Sequence, residues 1–229
     1  MIEALLPAGA VAVEAYADVA GEPPFPREED LVARAVDGRR REFVTARRCA
    51  REALARLGYA PAPIRPGPRR EPLWPAGVVG SITHCAGYRA AAVAPGVALA
   101  GLGIDAEPHE PLPDGVADAV TSAGEPEHLG GLRVAHPTVH WDRLLFSAKE
   151  SVYKAWYPLT GRWLGFEDAA LTIDPGGRFT ARIRIDGART DGGPPLRALD
   201  GRWLVARGLV VTAVAVPAGS SLFARPDPG

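Results

Sequence analysis

Two long helical stretches, each set among short runs of small and β-branched residues, restrict this chain to an α+β fold. The first runs from about Glu28 to Leu57, with a break allowed at Gly38, and Gly58 stands where a helix C-cap belongs. The second runs from about Trp141 to Tyr157, where Trp141, Leu144, Leu145, Ala148, Val152, Ala155 and Trp156 form one apolar stripe at helical pitch. A strand pattern at Val11 to Tyr16 precedes the first helix; Val78 to Thr83, Arg89 to Ala94 and Leu99 to Glu107 follow it. After the second helix come Ala170 to Ile173, Arg178 to Ile185 and Leu209 to Val216. The order strand, helix, strands therefore occurs twice. It gives two α+β halves, residues 1–100 and 101–229, each a helix laid on a mostly antiparallel sheet. Ala60 to Pro75 reads as a loop, and Pro108 to His136 as a surface connection with one short helical stretch at most.

Charge narrows the function. Lys plus Arg number 26 and Asp plus Glu 27, a net charge of −1 that predicts no general affinity for nucleic acid or anionic membrane. No apolar run approaches the ~20 residues of a membrane span. Met1 to Pro7 has neither a basic start nor a long apolar continuation, so a signal peptide is not expected. Cys49 and Cys85 read as free thiols of a reducing compartment. The expectation is a cytoplasmic monomer.

Four segments carry candidate chemistry. In Gly101-Leu-Gly-Ile-Asp-Ala-Glu107, a strand puts Leu102, Ile104 and Ala106 on one face and Gly101, Gly103, Asp105 and Glu107 on the other. Two carboxylates one pleat apart suit Mg²⁺, which takes one or two protein carboxylates and completes its shell with waters and phosphates. The two glycines would leave room for such a phosphate; a solvated acidic edge strand is the plainer alternative. On the second helix Glu150 and Lys154 stand four apart, as a surface ion pair would. Phe146, Tyr153 and Tyr157 project near Glu150, with Lys149 at the border of the stripe, which favours a half-buried cleft.

In Gly38 to Arg51, Arg40, Arg47 and Arg51 align on one flank, while Arg39 would fall within the apolar stripe of a helix continuous through Gly38. Grouped arginines match phosphate geometry, though a solvated arginine face has the same pattern. In Gly80-Ser-Ile-Thr-His-Cys-Ala-Gly-Tyr88 a hydroxyl and an imidazole sit at a strand end, able to bind an anion or to serve only structure.

Together these segments resemble the Sfp-type 4′-phosphopantetheinyl transferases, particularly the actinobacterial branch. The motifs are Gly103-Ile-Asp-Ala-Glu107, Phe146-Ser-Ala-Lys-Glu-Ser-Val-Tyr-Lys154, and Trp74-Pro75 followed by Gly80-Ser-Ile-Thr-His84. The resemblance implies two similar halves related by a pseudo-twofold axis, with coenzyme A in the cleft between them. It implies Mg²⁺, or Mn²⁺ in its place, on Asp105, Glu107 and Glu150, and catalytic roles for Glu150, Lys154 and His84. Coenzyme A would be bound by Arg39, Arg47, Gly67, Arg69, Thr83 and His84, with Asp105, Lys149, Glu150 and Lys154 on the phosphate and pantetheine side. The family often carries a lysine where this chain has Pro66, and Arg69 is the candidate to substitute for it. The partner implied is an acyl or peptidyl carrier protein. Arg133 and Arg143, with Leu129, Leu132 and Val134 nearby, are the candidate docking surface because they flank the metal ligands. The rival readings are a Mg²⁺-dependent nucleotide pyrophosphohydrolase and a non-catalytic coenzyme A-binding module.

Overall fold

The computed structural model describes residues 1–219. It is an α+β fold built on two antiparallel sheets. The first contains β1 (Val11–Ala15), β2 (Val78–Cys85) and β3 (Tyr88–Pro95) in the order β1-β3-β2. The second contains β4 (Leu99–Pro108), β5 (Ala169–Asp174), β6 (Arg178–Ile183), β7 (Ala198–Ala206) and β8 (Leu209–Pro217) in the order β4-β8-β7-β6-β5. Helices are α1 (Asp37–Arg56), α2 (Val116–Val120), α3 (Glu125–Ala135) and α4 (Trp141–Thr160).

The period of two along the strands divides the core into layers. On β3, Ala91 and Val93 pack with Cys49, Ala50, Ala53 and Leu54 of α1, while Ala90, Ala92 and Ala94 face the other sheet. There they meet Leu102, Ile104 and Ala106 of β4 and Val211 and Ala213 of β8. The outer face of the second sheet packs on α4, where the stripe read from the sequence (Leu144, Leu145, Ala148, Val152, Trp156) meets Leu171, Phe179, Trp203 and Val214. The layers thus run α1, first sheet, second sheet, α4.

Several elements differ from the sequence expectation. The first helix begins at Asp37, because Glu29–Val32 forms only a 3₁₀ turn. Glu28 explains the break: its buried carboxylate accepts from Arg51 Nη1 at 3.0 Å and from the Ile64 N–H at 2.6 Å, which ties the lead-in across α1. The connection after β4 holds two helices, α2 and α3, rather than one short stretch. Helix α4 runs through Pro158 to Thr160. A proline in the last turn removes only one helix bond, and Gly161 in the left-handed region (φ 65) closes the end. Strand β7 had no counterpart in the sequence reading, because Asp200-Gly201 resembles a turn. Gly201 is instead where the Phe179 ring crosses the strand, since a Cβ there would lie 2.0 Å from its Cζ.

Gly101 and Gly103 are also reassigned. Their face of β4 lies under α4, and a Cβ on Gly103 would sit 2.0 Å from the Ser151 carbonyl oxygen. The glycines make room for the helix, not for a phosphate. Cys49 and Cys85 are free. Among the described residues no helix is long and apolar enough to cross a membrane.

Candidate active site

The crossing of α4 over β4 creates the site. Asp105 is 4% exposed, and its Oδ1 accepts from Lys154 Nζ at 2.7 Å and from Thr83 Oγ1 at 3.2 Å. Its Oδ2 is buried with no hydrogen-bond partner. Buried charged oxygens are normally satisfied, so this one marks a place for a cation. Lys154 therefore pairs with Asp105 across the crossing, not with Glu150 along its own helix.

Glu107, one pleat further, accepts from Arg143 Nη1 at 3.1 Å. Burial pushes its pKa above the usual carboxylate value and the charge of Asp105 adds to this, while Arg143 and Lys154 oppose it. Glu150 projects from α4, and burial raises its pKa too, with Lys154 opposing and Asp105 adding. No hydrogen bond offsets that desolvation. Each of the three carboxylates is thus stabilised by added positive charge. Among the described residues no group of three or more His, Cys, Asp or Glu is placed to hold a metal ion, so Asp105 can share a cation with at most one further carboxylate as they stand. That donor set fits a hard cation taking one or two carboxylates and sharing the rest of its shell with water and substrate oxygens.

A cleft of about 870 Å³ opens beside Glu150 and Lys154, while Asp105 and Glu107 stay behind Lys154 and do not line it. Its walls include Arg39, Phe43 and Arg47 of α1, Arg69 and Trp74 from the segment before β2, His84 of β2, and Glu150, Tyr153, Lys154 and Tyr157 of α4. Arg47 lies against the Phe43 ring at 3.7 Å and donates to the Ile64 carbonyl at 3.1 Å. Burial brings its pKa down to about 10, with Glu28 opposing and the other arginines adding. A partly desolvated guanidinium without a carboxylate partner is a site for an anion. Arg39 donates to Glu42 at 2.7 Å and contacts His84 Nε2 at 2.9 Å. Because a guanidinium only donates, His84 Nε2 is the acceptor and the imidazole is neutral. Partial burial holds the His84 pKa below its ordinary value, Glu42 opposing and the nearby cations reinforcing the shift.

Arg69 is exposed on the 66–72 loop, its guanidinium 5.8 Å from the Trp163 ring. Gly67 belongs to the same loop, where its N–H donates to the Glu71 carbonyl at 2.8 Å. Lys149 is buried and donates to Glu125 at 2.8 Å and to the Phe166 carbonyl at 2.7 Å. It lines a smaller cavity of about 220 Å³ with Glu150, Tyr153 and Trp163, not the main cleft. Phe146 packs on Phe166, away from Tyr153 and Tyr157. Thr83 is buried, its hydroxyl turned to Asp105 rather than to the cleft. Of the arginine flank, Arg51 is committed to Glu28.

Sequence reasoning missed Glu42, Glu125 and the engagement of Arg143. Arg143 donates to the Glu110 and Pro111 carbonyls as well as to Glu107, so it clamps the connection after β4 instead of facing a partner. Leu129 and Leu132 are buried too, leaving Arg133 and Val134 as the exposed members of that surface. The pattern had signals for these acids only in retrospect. Glu42 stands three residues after Arg39, the spacing of one helical turn, while Glu125 lies in a Gly- and Pro-rich stretch that read as loop.

Comparison with known proteins gives two family matches along the chain. Residues 27–94 match the 4′-phosphopantetheinyl transferase N-terminal domain, and residues 101–199 the 4′-phosphopantetheinyl transferase superfamily. The chain is 56% identical over 227 residues to 4′-phosphopantetheinyl transferase Svp of Streptomyces mobaraensis, covering 96% of this chain and 92% of that protein. It is 54% identical over 206 residues to PptT of Mycobacterium tuberculosis, covering 88% and 89%. To Npt of Nocardia iowensis it is 50% identical over 223 residues, covering 94% and 99%. With two such models matched in order along the chain and three relatives at 50% identity or more covered over most of their length, the chain belongs to the 4′-phosphopantetheinyl transferase family.

Proposed function

We propose that this protein transfers the 4′-phosphopantetheine group of coenzyme A to a serine of an acyl or peptidyl carrier protein, releasing adenosine 3′,5′-bisphosphate. The observation that carries the reading is the unpartnered, buried Asp105 Oδ2, one side chain (Lys154) behind a cleft walled by arginines and aromatic rings. Family membership supplies the substrate class; the cleft supplies the means. Arg39, Arg47 and Arg69 would receive the nucleotide phosphates, with His84 as a neutral donor or acceptor beside them. The rings of Phe43, Trp74, Tyr153 and Tyr157 offer apolar surface to the base and the pantetheine arm.

Asp105, with Glu107 or Glu150 and with the remaining carboxylate drawn in when the site is loaded, would hold Mg²⁺ or Mn²⁺, which when bound neutralises the pyrophosphate oxygens. Glu150, directly or through a water, would take the proton of the carrier serine as that oxygen attacks the β-phosphorus and the bond to adenosine 3′,5′-bisphosphate breaks. Lys154, anchored by Asp105 and the Ile104 carbonyl, would stabilise charge on the phosphoryl group. His84, whose Nε2 accepts from Arg39, would hold that guanidinium toward the phosphates from the β2 side. Residues 1–100 and 101–229 would act as the two halves around the cleft, in a cytoplasmic monomer.

Coenzyme A is expected to raise the melting temperature more in Mg²⁺ than in EDTA. A ligand bound only by the folded state stabilises it by mass action, and the pyrophosphate meets three carboxylates that repel it without the cation. Equal shifts in both buffers would argue against Asp105 and Glu107 facing the ligand. The function itself is tested by following adenosine 3′,5′-bisphosphate. Release only when an apo carrier protein is present is the expected result. Release without carrier would identify a pyrophosphohydrolase, and binding without release a non-catalytic module.

A further inference from the structure

The two sheets meet along β2 and β4, both edge strands of their own sheets. They do not join through a backbone ladder. Instead the Ser81 hydroxyl accepts from the Ile104 N–H at 3.1 Å, and the Thr83 hydroxyl accepts from the Ala106 N–H at 3.1 Å. The two residues are spaced alike on both strands, so each hydroxyl stands in for a strand carbonyl. A seam of hydroxyls thus joins the halves.

Thr83 has a second bond that Ser81 lacks. A hydroxyl carries one proton. Since Thr83 Oγ1 accepts from Ala106, its proton is free for Asp105 Oδ1, 3.2 Å away. Lys154 Nζ reaches the same oxygen at 2.7 Å. Two donors on Oδ1, one from each half, fix the rotation of the carboxylate and leave Oδ2 buried and unpartnered. We propose that Thr83 is a positioning residue: from the first half of the molecule it orients Asp105 so that Oδ2 faces the metal. This rests on the metal reading given above. It assigns the Thr83 hydroxyl to the carboxylate rather than to coenzyme A.

The test is Mn²⁺ titration of the coenzyme A complex, read by electron paramagnetic resonance of free Mn²⁺. Loss of a group that orients a ligand typically weakens metal affinity by about 10- to 100-fold. Thr83→Val, which keeps the shape and removes the hydroxyl, is expected to bind Mn²⁺ at least about tenfold more weakly. Thr83→Ser should restore wild-type affinity. Ser81→Ala removes the sibling seam bond and touches no carboxylate, so it should lower the melting temperature while leaving Mn²⁺ affinity unchanged. If Thr83→Val does not fold, Thr83→Ala replaces it with the same expectation. Wild-type affinity in the folded hydroxyl-less variant, or equal weakening in Ser81→Ala, overturns the positioning role. If Asp105→Asn binds Mn²⁺ as tightly as wild type, the metal reading itself fails, and the role of Thr83 with it.

Discussion

Glu150→Gln is expected to lower the transfer rate by about 10²- to 10⁴-fold, the usual contribution of a general base, while raising the melting temperature of the metal-free protein at pH 8. The two effects have one origin. Burial, with Asp105 nearby, lifts the Glu150 pKa above its ordinary 4.5. A carboxyl whose folded pKa is raised binds more protons folded than unfolded, so its contribution to stability falls as pH rises between the two values. Above the raised pKa the ionised group is a standing cost, which glutamine does not carry. The stability difference between variant and wild type should therefore be small near pH 4.5, grow upward from there, and level off once Glu150 is fully ionised. Saturating Mg²⁺ and coenzyme A should shrink it. Melting curves over pH 5–8, paired with a transfer assay, check both arms. A variant that transfers at the wild-type rate would remove Glu150 from the chemistry.

The second large effect is on folding. Gly103→Ala places a Cβ 2.0 Å from the Ser151 carbonyl oxygen and 2.7 Å from the Ala155 nitrogen. Neither atom is the end of a flexible side chain; both belong to the backbone of α4. Overpacking of this kind costs about 1–3 kcal/mol and more where backbone must move, so a loss of about 3 kcal/mol is expected in urea denaturation. Because α4 also carries Glu150 and Lys154, its displacement should reduce transfer even in the folded fraction. Gly101→Ala should be milder, since the nearest atom is the Leu159 Cδ1 at 2.8 Å, the far end of a side chain that can turn away. Unchanged denaturation of Gly103→Ala would mean that α4 does not lie this close to β4.

The alternation along Gly101–Glu107 and the stripe on Trp141–Tyr157 were legible because each is a period imposed by one element on one core face. Where two elements compete for the same residues, the pattern was ambiguous. Gly101 and Gly103 sit opposite apolar residues on β4, which says that their face is different but not that a helix covers it. Asp200-Gly201 has the composition of a turn, and only the Phe179 ring on the neighbouring strand explains a glycine within β7. Partners distant in sequence were the least visible. Glu28 with Ile64, Glu125 with Lys149 and Leu171, and Arg143 with Glu107 are fixed by tertiary contact. No local spacing distinguishes such side chains from solvated ones. That is why Lys149 read as a cleft residue and Arg143 as a docking one. The carboxylates themselves were accessible through their motifs, yet the rotation of Asp105 depends on a hydroxyl 22 residues away.

The most direct measurement is the intact mass of a panel of apo carrier domains after incubation with the protein, Mg²⁺ and coenzyme A. A gain of one phosphopantetheine on at least one carrier, absent in EDTA and absent with Asp105→Asn, is the predicted result. Unchanged carrier masses across the panel, with coenzyme A cleaved all the same, would contradict transfer and leave hydrolysis as the activity of this cleft.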